Sequence, residues 1–329
     1  MILDICYNYL KTKKDVLVEE TKGVYKMVMP RVKPSTAIKM IRKNSRALHY
    51  ENSGFLFYET ANGFQFKSYE GLFCRKDGSP RPIKAHYSPK VKNVGEDDTY
   101  NLQSVESFKI LSQFNTLLNT NNGVYSSRLL THDLFSKKFN TFDFDYNLEY
   151  SKQNHLEKDA KGDKRDNNGI LPFFNYDKGN TFGSKNEGAL YLQSTTTKVH
   201  NDYEQPEVEE ILQKRISQHL AVNALNIEIT VPGSTEVNIG DIVHFSMPKF
   251  APATDNDKKD QDIYLTGRYL ISAARHQVSI VNKRHTLVLE LIKDSFNKAY
   301  PEEIIDLFTN NEDDTGSAYS ATELDEFLL

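Results

Sequence analysis

Residues 225–248 read LNIEITVPGSTEVNIGDIVHFSMP, and this stretch decides the fold. Its first part alternates apolar and polar side chains, which predicts a β-strand with one buried face. The apolar side chains are those of Leu225, Ile227, Ile229 and Val231. Pro232-Gly233 then predicts a turn, and Gly240-Asp241 predicts a second turn before another strand in DIVHFSMP.

The segment that follows predicts a long β-hairpin. Residues 263–281 and 284–292 form its arms, and Asn282-Lys283 forms its turn. Several antiparallel strands therefore lie close together in this part of the chain. Such density favours a small closed or nearly closed β-barrel, because closure removes exposed sheet edges.

The first hundred residues predict a helix followed by a hairpin. Pro34 suits the first helical position, because its missing N–H needs no partner there, and an apolar stripe follows at helical spacing. Within residues 54–73, Asn62-Gly63 separates two alternating segments and predicts a tight hairpin turn. Farther along, residues 151–189 are polar and hold five of the sixteen glycines, which indicates a long loop.

The composition indicates a folded chain with a polar surface, since 38% of its 329 residues are hydrophobic and 26% are charged. No apolar run reaches the ~20 residues of a membrane-spanning helix, so we expect no membrane anchor. Eighteen Tyr and nineteen Phe favour β-structure. Cys6 and Cys74 are too few for a disulfide framework, and a reducing compartment fits them. Residues 302–329 carry nine acids and no base, which is typical of a flexible acidic tail.

Sequence motifs for catalysis and cofactor binding are absent. The chain has no GxGxxG, GxxxxGK[ST], GxSxG or HExxH pattern, so we expect no cofactor, no metal and no catalytic residue. His132-Asp133 lies on a strand, where adjacent side chains point to opposite faces.

A cell-wall-degrading enzyme is one alternative, because Asp143, Asp145 and Glu149 lie on or near one strand and a glycosidase needs two carboxylates flanking a sugar.

A nucleic-acid-binding barrel is the second alternative. Such barrels combine basic grooves with stacking aromatic rings, and Tyr269 lies between Arg268 and Arg275 in this chain. His276 and His285 could face each other across the predicted hairpin, although a metal would need a third ligand nearby.

Five long stretches resemble the central baseplate hub proteins of contractile-tailed (myovirus-type) bacteriophages. The broader relatives of that family are the hub-spike proteins of type VI secretion and of other contractile injection systems. The stretches occur in matched order over residues 16–300: KPSTAIKMIRKNSRA (33–47) with GFLFYETANGFQFKSYEGL (54–72), NGVYSSRLLTHDLFSKKF (122–139), VPGSTEVNIGDIVHFSMP (231–248) and the hairpin segment 263–296.

The resemblance implies a structural role without catalysis. In that family three subunits form a ring, each subunit supplies two similar barrels, and the ring adapts a six-fold tail tube to a three-fold central spike. It therefore implies a homotrimer in the tail baseplate of the virion, assembled in the host cytoplasm. The implied partners are the central spike protein, the tail tube protein and other baseplate proteins. DNA would pass through the lumen without specific binding, so we expect acidic or neutral residues to line it.

The resemblance also implies a β-rich α+β fold, with an antiparallel β-barrel tube domain and a mixed α/β middle domain. Residues 101–138 and 218–295 would form the second tube-type barrel, 34–100 and 139–217 the middle domain, and 296–329 the acidic C-terminal tail. Residues 1–33 would be the remnant of a first tube domain that is largely missing. Either the chain is shortened at its N-terminus, or another protein supplies the missing strands.

The structural positions that match the family are turn, hairpin and strand-exit residues. They are Pro34, Asn62, Gly63, Gly123, Pro232, Gly233, Gly240, Asp241, Gly267, Tyr269, His276 and Asp294.

Overall fold

The fold is a β-rich α+β arrangement, as the sequence predicts. A computed structural model describes residues 1–24, 27–51, 53–89, 103–113, 125–134, 136–150, 152–157, 189–195, 208–223, 225–248, 261–262 and 264–296. Three separate β-sheets and a few short helices make up this part of the chain.

The helices lie mainly in the first half of the chain. Helix α1 spans Ile2–Asp4 and continues as a π-helical segment, Ile5–Tyr9. The others are α2 (Pro34–Asn44), α3 (Tyr69–Phe73), α4 (Tyr146–Tyr150) and α5 (Val208–Val222). Pro34 is the first residue of α2, which confirms the start predicted from the sequence.

The strands follow in chain order. They are β1 (Asp15–Val18), β2 (Phe55–Thr60), β3 (Gly63–Ser68), β4 (Ile83–Tyr87), β5 (Ser107–Gln113), β6 (Ser127–Asp133), β7 (Lys138–Phe144), β8 (Ala189–Thr195), β9 (Leu225–Pro232), β10 (Ile242–Phe245), β11 (Gly267–Ser279) and β12 (Arg284–Lys293).

The largest sheet has six strands in the order β4-β10-β11-β12-β9-β5. The alternation in β9 is confirmed, because its four apolar side chains are all buried in the main core. Strands β11 and β12 form the long hairpin that the sequence predicts, and β12 pairs along its length with β9. The core of this sheet includes Phe245 from β10 and Leu289 from β12.

The predicted closed barrel is not found. In the part of the chain that the structure describes, the six-stranded sheet is open, with β4 and β5 at its two edges. Both edge strands carry a lysine, Lys84 in β4 and Lys109 in β5, and both pair with a shifted register. Charged side chains and β-bulges protect an edge from unwanted pairing, so this sheet manages its edges without closing on itself.

A second sheet has the order β7-β6-β8, with β7 antiparallel and β8 parallel to the central strand. Helix α5 covers one face of this sheet, where Gln213 donates a hydrogen bond to the Ser127 carbonyl at 3.0 Å. Leu129 of β6 is fully buried on the same face. The opposite face carries the side chains of alternate residues, and several of these are exposed.

The third sheet has the order β1-β3-β2 and packs against α1 and α2. Asn62 lies in the tight turn between β2 and β3, as predicted, and Gly63 begins β3. Gly63 has φ of +140°, and a Cβ atom there would collide with the Asp15 carbonyl of the adjoining β1. Glycine is therefore required both by the backbone conformation and by the close approach of β1.

Strand pairing crosses the segments of the predicted domain division at three places. Strand β1, from residues 1–33, pairs with β3. Strand β4, from residues 34–100, pairs with β10, and β6, from residues 101–138, pairs with β7 and β8. The division into tube and middle domains stays a prediction. The predicted acidic tail lies outside the described residues apart from Phe296, as does most of loop 151–189.

Replacing Gly63 with Ala should destabilise the protein by more than the cost of a positive φ alone. The matched control is Gly23→Ala, because Gly23 has φ of +78° and nothing within 4 Å of a built Cβ. We expect about 1 kcal/mol of destabilisation for Gly23→Ala and about 2–3 kcal/mol for Gly63→Ala. Urea unfolding of both variants measures the difference, and equal effects would contradict the contact between β1 and β3.

Candidate functional site

The end of β12 enters a buried group of charged side chains. Lys293 forms an ion pair with Glu157 at 2.8 Å, and their side chains are 0% and 5% exposed. The Lys293 ammonium also donates to the Thr266 carbonyl at 3.0 Å and lies over the rings of Tyr269 and Phe296. Burial lowers the pKa of Lys293, while the negative charge of Glu157 opposes that shift.

Asp294 extends this group on the other side of the chain. Its carboxylate accepts hydrogen bonds from His155 Nδ1 at 2.9 Å and from the Leu156 backbone N–H at 3.1 Å. The other ring nitrogen of His155 lies 2.9 Å from the Tyr150 carbonyl oxygen. Each ring nitrogen of His155 therefore lies within hydrogen-bond distance of an oxygen atom. We call His155, Glu157, Tyr269, Lys293 and Asp294 the buried polar cluster.

Gly267 begins β11 beside this cluster and has φ of +146°. A Cβ atom there would collide with the Glu157 carboxylate and the Lys293 ammonium. The backbone N–H of the next residue, Arg268, donates to Glu157 at 2.7 Å. Glycine therefore makes room for the ion pair, and the strand backbone adds a hydrogen bond to it.

Three of the predicted positions thus come together here, namely Gly267, Tyr269 and Asp294. Tyr269 is fully buried, and its hydroxyl donates to the Leu265 carbonyl at 2.7 Å. Burial raises the pKa of Tyr269 well above its usual value. The cluster joins the end of the six-stranded sheet to the segment 152–157, which follows β7 and α4 along the chain.

His155, Glu157 and Lys293 are not among the positions predicted from the sequence. A polar triplet such as Lys293-Asp294-Ser295 after an apolar strand normally predicts an exit into solvent, but all three residues are buried here. Their partners lie more than one hundred residues earlier in the chain. No local pattern signals such a pairing, although the glycine at 267 is consistent with a close approach.

Other predicted positions lie elsewhere in the same sheet. Pro232 ends β9, and the Gly233 N–H donates to the His285 carbonyl at 2.9 Å. His276 and His285 are adjacent, with 3.0 Å between Nδ1 and Nε2. Gly240 and Asp241 form the turn before β10, where Asp241 accepts a hydrogen bond from the Asn238 N–H.

Gly123 lies outside the described residues. Among the residues that the structure does describe, no three His, Cys, Asp or Glu side chains lie together as a metal site requires. The histidine pair at the hairpin thus has two potential ligands, where a structural zinc site uses four. The side chains of both cysteines, Cys6 and Cys74, are buried.

The groups considered for catalysis are placed in other interactions. Asp143 forms a two-fold ion pair with Arg128, and Glu149 lies near Lys152 and Lys214. On β6, His132 stacks on the Phe139 ring, whereas Asp133 accepts a hydrogen bond from Ser136. In the buried His155–Asp294 pair, Nε2 of His155 contacts the Tyr150 carbonyl oxygen. The imidazole therefore has no nitrogen directed to a substrate.

Two residues that suggest a site for single-stranded nucleic acid, Arg268 and Tyr269, make other interactions in the structure. Tyr269 of β11 is fully buried in the main core, so its ring cannot stack on a base. The guanidinium of Arg268 donates a hydrogen bond to the Arg81 backbone carbonyl, so it binds the protein itself rather than lining a groove. A separate groove of about 450 Å³ lies between α1 and residues 29–37, and Asp4 and Arg31 are the charged side chains in its lining.

No protein-family model matches the chain, and no curated protein matches it significantly. Among solved structures it is similar to the tail protein from Neisseria meningitidis MC58. The sequence identity is 12% and the TM-score is 0.44, over 90% of this chain and 67% of that one. Within the described ranges, no helix is long and apolar enough to cross a membrane.

Replacing Glu157 with Gln should strongly destabilise the protein near neutral pH. The substitution leaves the Lys293 ammonium buried without its counter-charge, which typically costs about 3–5 kcal/mol. The control is Glu59→Gln, because its ion pair with Lys14 is half exposed and should contribute less than about 1 kcal/mol.

The loss of folding stability caused by Glu157→Gln should become smaller as pH rises. The pKa of Lys293 is already lowered in the folded state, and loss of Glu157 lowers it further. At pH values between the lowered pKa of Lys293 in the folded chain and its higher pKa in the unfolded chain, the unfolded chain binds more protons than the folded chain. The stability of the variant therefore rises with pH. Urea unfolding between about pH 7 and pH 10 measures this trend. A small, pH-independent effect would contradict the role of the ion pair.

Proposed function

We propose that this chain is a structural component of a contractile phage tail, a baseplate hub that assembles as a homotrimer. Three copies would adapt the six-fold tail tube to the three-fold central spike, and the chain would reside in the virion after assembly in the host cytoplasm. The hub has no catalytic step in this proposal. Its partners are copies of itself, the tube protein, the spike protein and other baseplate proteins.

The observation that carries the proposal is where large apolar side chains are exposed. Val278, Ile280 and Val281, at the tip of the β11–β12 hairpin, are 71%, 89% and 94% exposed. Phe139, Leu190 and Leu192 are exposed on the β7-β6-β8 sheet. Apolar side chains that are exposed together on one sheet face or at one hairpin tip are typical of surfaces that pack against other protein.

The sequence stretches that resemble hub proteins coincide with these structural elements. The stretch 122–139 includes β6, and the stretch 263–296 includes the whole β11–β12 hairpin. The exposed apolar tip therefore lies within a stretch that carries the resemblance. A ring built from copies of one chain needs such outward-facing surfaces, because each copy must contact two neighbours.

Light scattering of the purified protein tests the proposal. The expected molar mass is three times the 37.8 kDa mass of one chain. A chain that stays monomeric at high concentration would contradict the homotrimer. Binding of the trimer to an isolated tail tube or spike protein, measured by co-sedimentation, would then test its position in the tail.

A further inference from the structure

We propose that β8 is an assembly strand, which adds to the exposed edge of β7 in a second copy of this chain. The inference rests on the proposed homotrimer and assigns a surface to it. Among the residues that the structure describes, strand β8 is an edge of the β7-β6-β8 sheet, and β7 is the opposite edge. Each copy therefore presents one edge to each of two neighbours.

The composition of β8 sets it apart from the other sheet edges. The three described sheets have six edges, formed by β1, β2, β4, β5, β7 and β8. Five of these strands carry at least one charged residue: Asp15, Glu59, Lys84, Lys109, and Lys138 with Asp143. Strand β8 reads ALYLQST, with no charge, no proline and no glycine.

Proteins normally protect an edge strand with charges, prolines or bulges, because an unprotected edge pairs with other chains. Strand β8 has none of these features, and its seven residues pair with β6 without a register shift. A flat, uncharged edge of this kind is suited to accept another strand. The absence of protection is therefore the first observation that points to pairing.

The outward face of the same sheet is apolar at both edges. Leu190 and Leu192 of β8 are 64% and 72% exposed, and Phe139 of β7 is 70% exposed. These side chains lie on the face opposite helix α5, because their ladder partners on β6 are Arg128, Leu130 and His132. Pairing of β8 with β7 of a neighbour would bring the apolar groups of the two copies onto one continuous face.

The two edges match in length and direction. The charges of β7 leave its middle open to pairing, because Lys138 is its first residue and Asp143 is ion-paired with Arg128 of β6. Strands β6, β7 and β8 each have seven residues, and both ladders are complete. Strand β8 runs parallel to β6, while β7 runs antiparallel to it. When copies are related by rotation about an axis along the strands, β8 meets the next copy's β7 in antiparallel orientation. This head-to-tail contact uses two different surfaces, so it can close a ring of three.

The first test is the double variant Leu190→Lys and Leu192→Lys. Both side chains are exposed in one copy, so the variant should keep the circular dichroism and melting temperature of a folded chain. We expect the trimer to dissociate at protein concentrations about 100-fold higher than for the wild-type chain. The matched control is Leu17→Lys, because Leu17 is an exposed leucine in β1, an edge strand of another sheet.

The second test uses Phe139→Lys, which places the charge on the β7 side. Each variant alone should be monomeric, but each keeps one intact edge. A mixture of Phe139→Lys with the Leu190→Lys and Leu192→Lys variant should therefore form a one-to-one dimer, measured by light scattering. A contact of β8 with β8 predicts instead that Phe139→Lys alone dimerises, and that result would overturn the proposal.

The outcomes separate this inference from the proposed function. A wild-type trimer that the β8 variant leaves intact overturns the assembly strand and retains the hub. A wild-type monomer overturns both. The β8 variant could also leave the trimer intact but lower the stability of each folded chain. That result would show that another segment of the same chain covers β8, and it would also overturn the inference.

Discussion

The ion pair between Lys293 and Glu157 is the interaction on which the arrangement of the described chain depends. It joins the end of the central sheet to the segment 152–157, and Asp294 adds a second attachment through His155. A buried charge without a partner is strongly unfavourable. Separation of the segment 152–157 from the end of β12 would leave such a charge, so the two segments stay together. Gly267 provides the space in which the pair forms.

This attachment also explains how the six-stranded sheet and the β7-β6-β8 sheet are linked. The segment 152–157 follows β7 and α4, so it fixes the chain leaving the β7-β6-β8 sheet to the end of β12. Helix α5 packs on the inner face of the same sheet and is followed by β9 of the central sheet after a short connection. Within the described ranges, α5 covers one face of that sheet, while the opposite face and the two edge strands face outward.

The elements with local signals could be predicted from the sequence. The turn at Asn62, the buried face of β9 and the β11–β12 hairpin each depend on neighbouring residues and appear as expected. Barrel closure could not be predicted, because it depends on whether distant edges meet. The parallel pairing of β4 with β10 joins strands more than 150 residues apart and leaves no periodic pattern.

The candidate site could be predicted in part for the same reason. The resemblance predicts Gly267, Tyr269 and Asp294, but their charged partners Glu157 and Lys293 have a sequence context that is typical of solvated residues. The histidine pair was anticipated because both residues lie in one hairpin. The charge-free edge of β8 is visible in the sequence as ALYLQST, yet only the sheet order shows that this strand is an edge.

Hydrogen exchange as a function of protein concentration tests most directly whether this chain is built to pack against copies of itself. In an edge strand about half of the backbone amides point away from the sheet. The account predicts that these amides in residues 189–195 exchange more slowly as concentration rises, while those of β1 do not change. Exchange in β8 that is independent of concentration, in a folded protein, would contradict it.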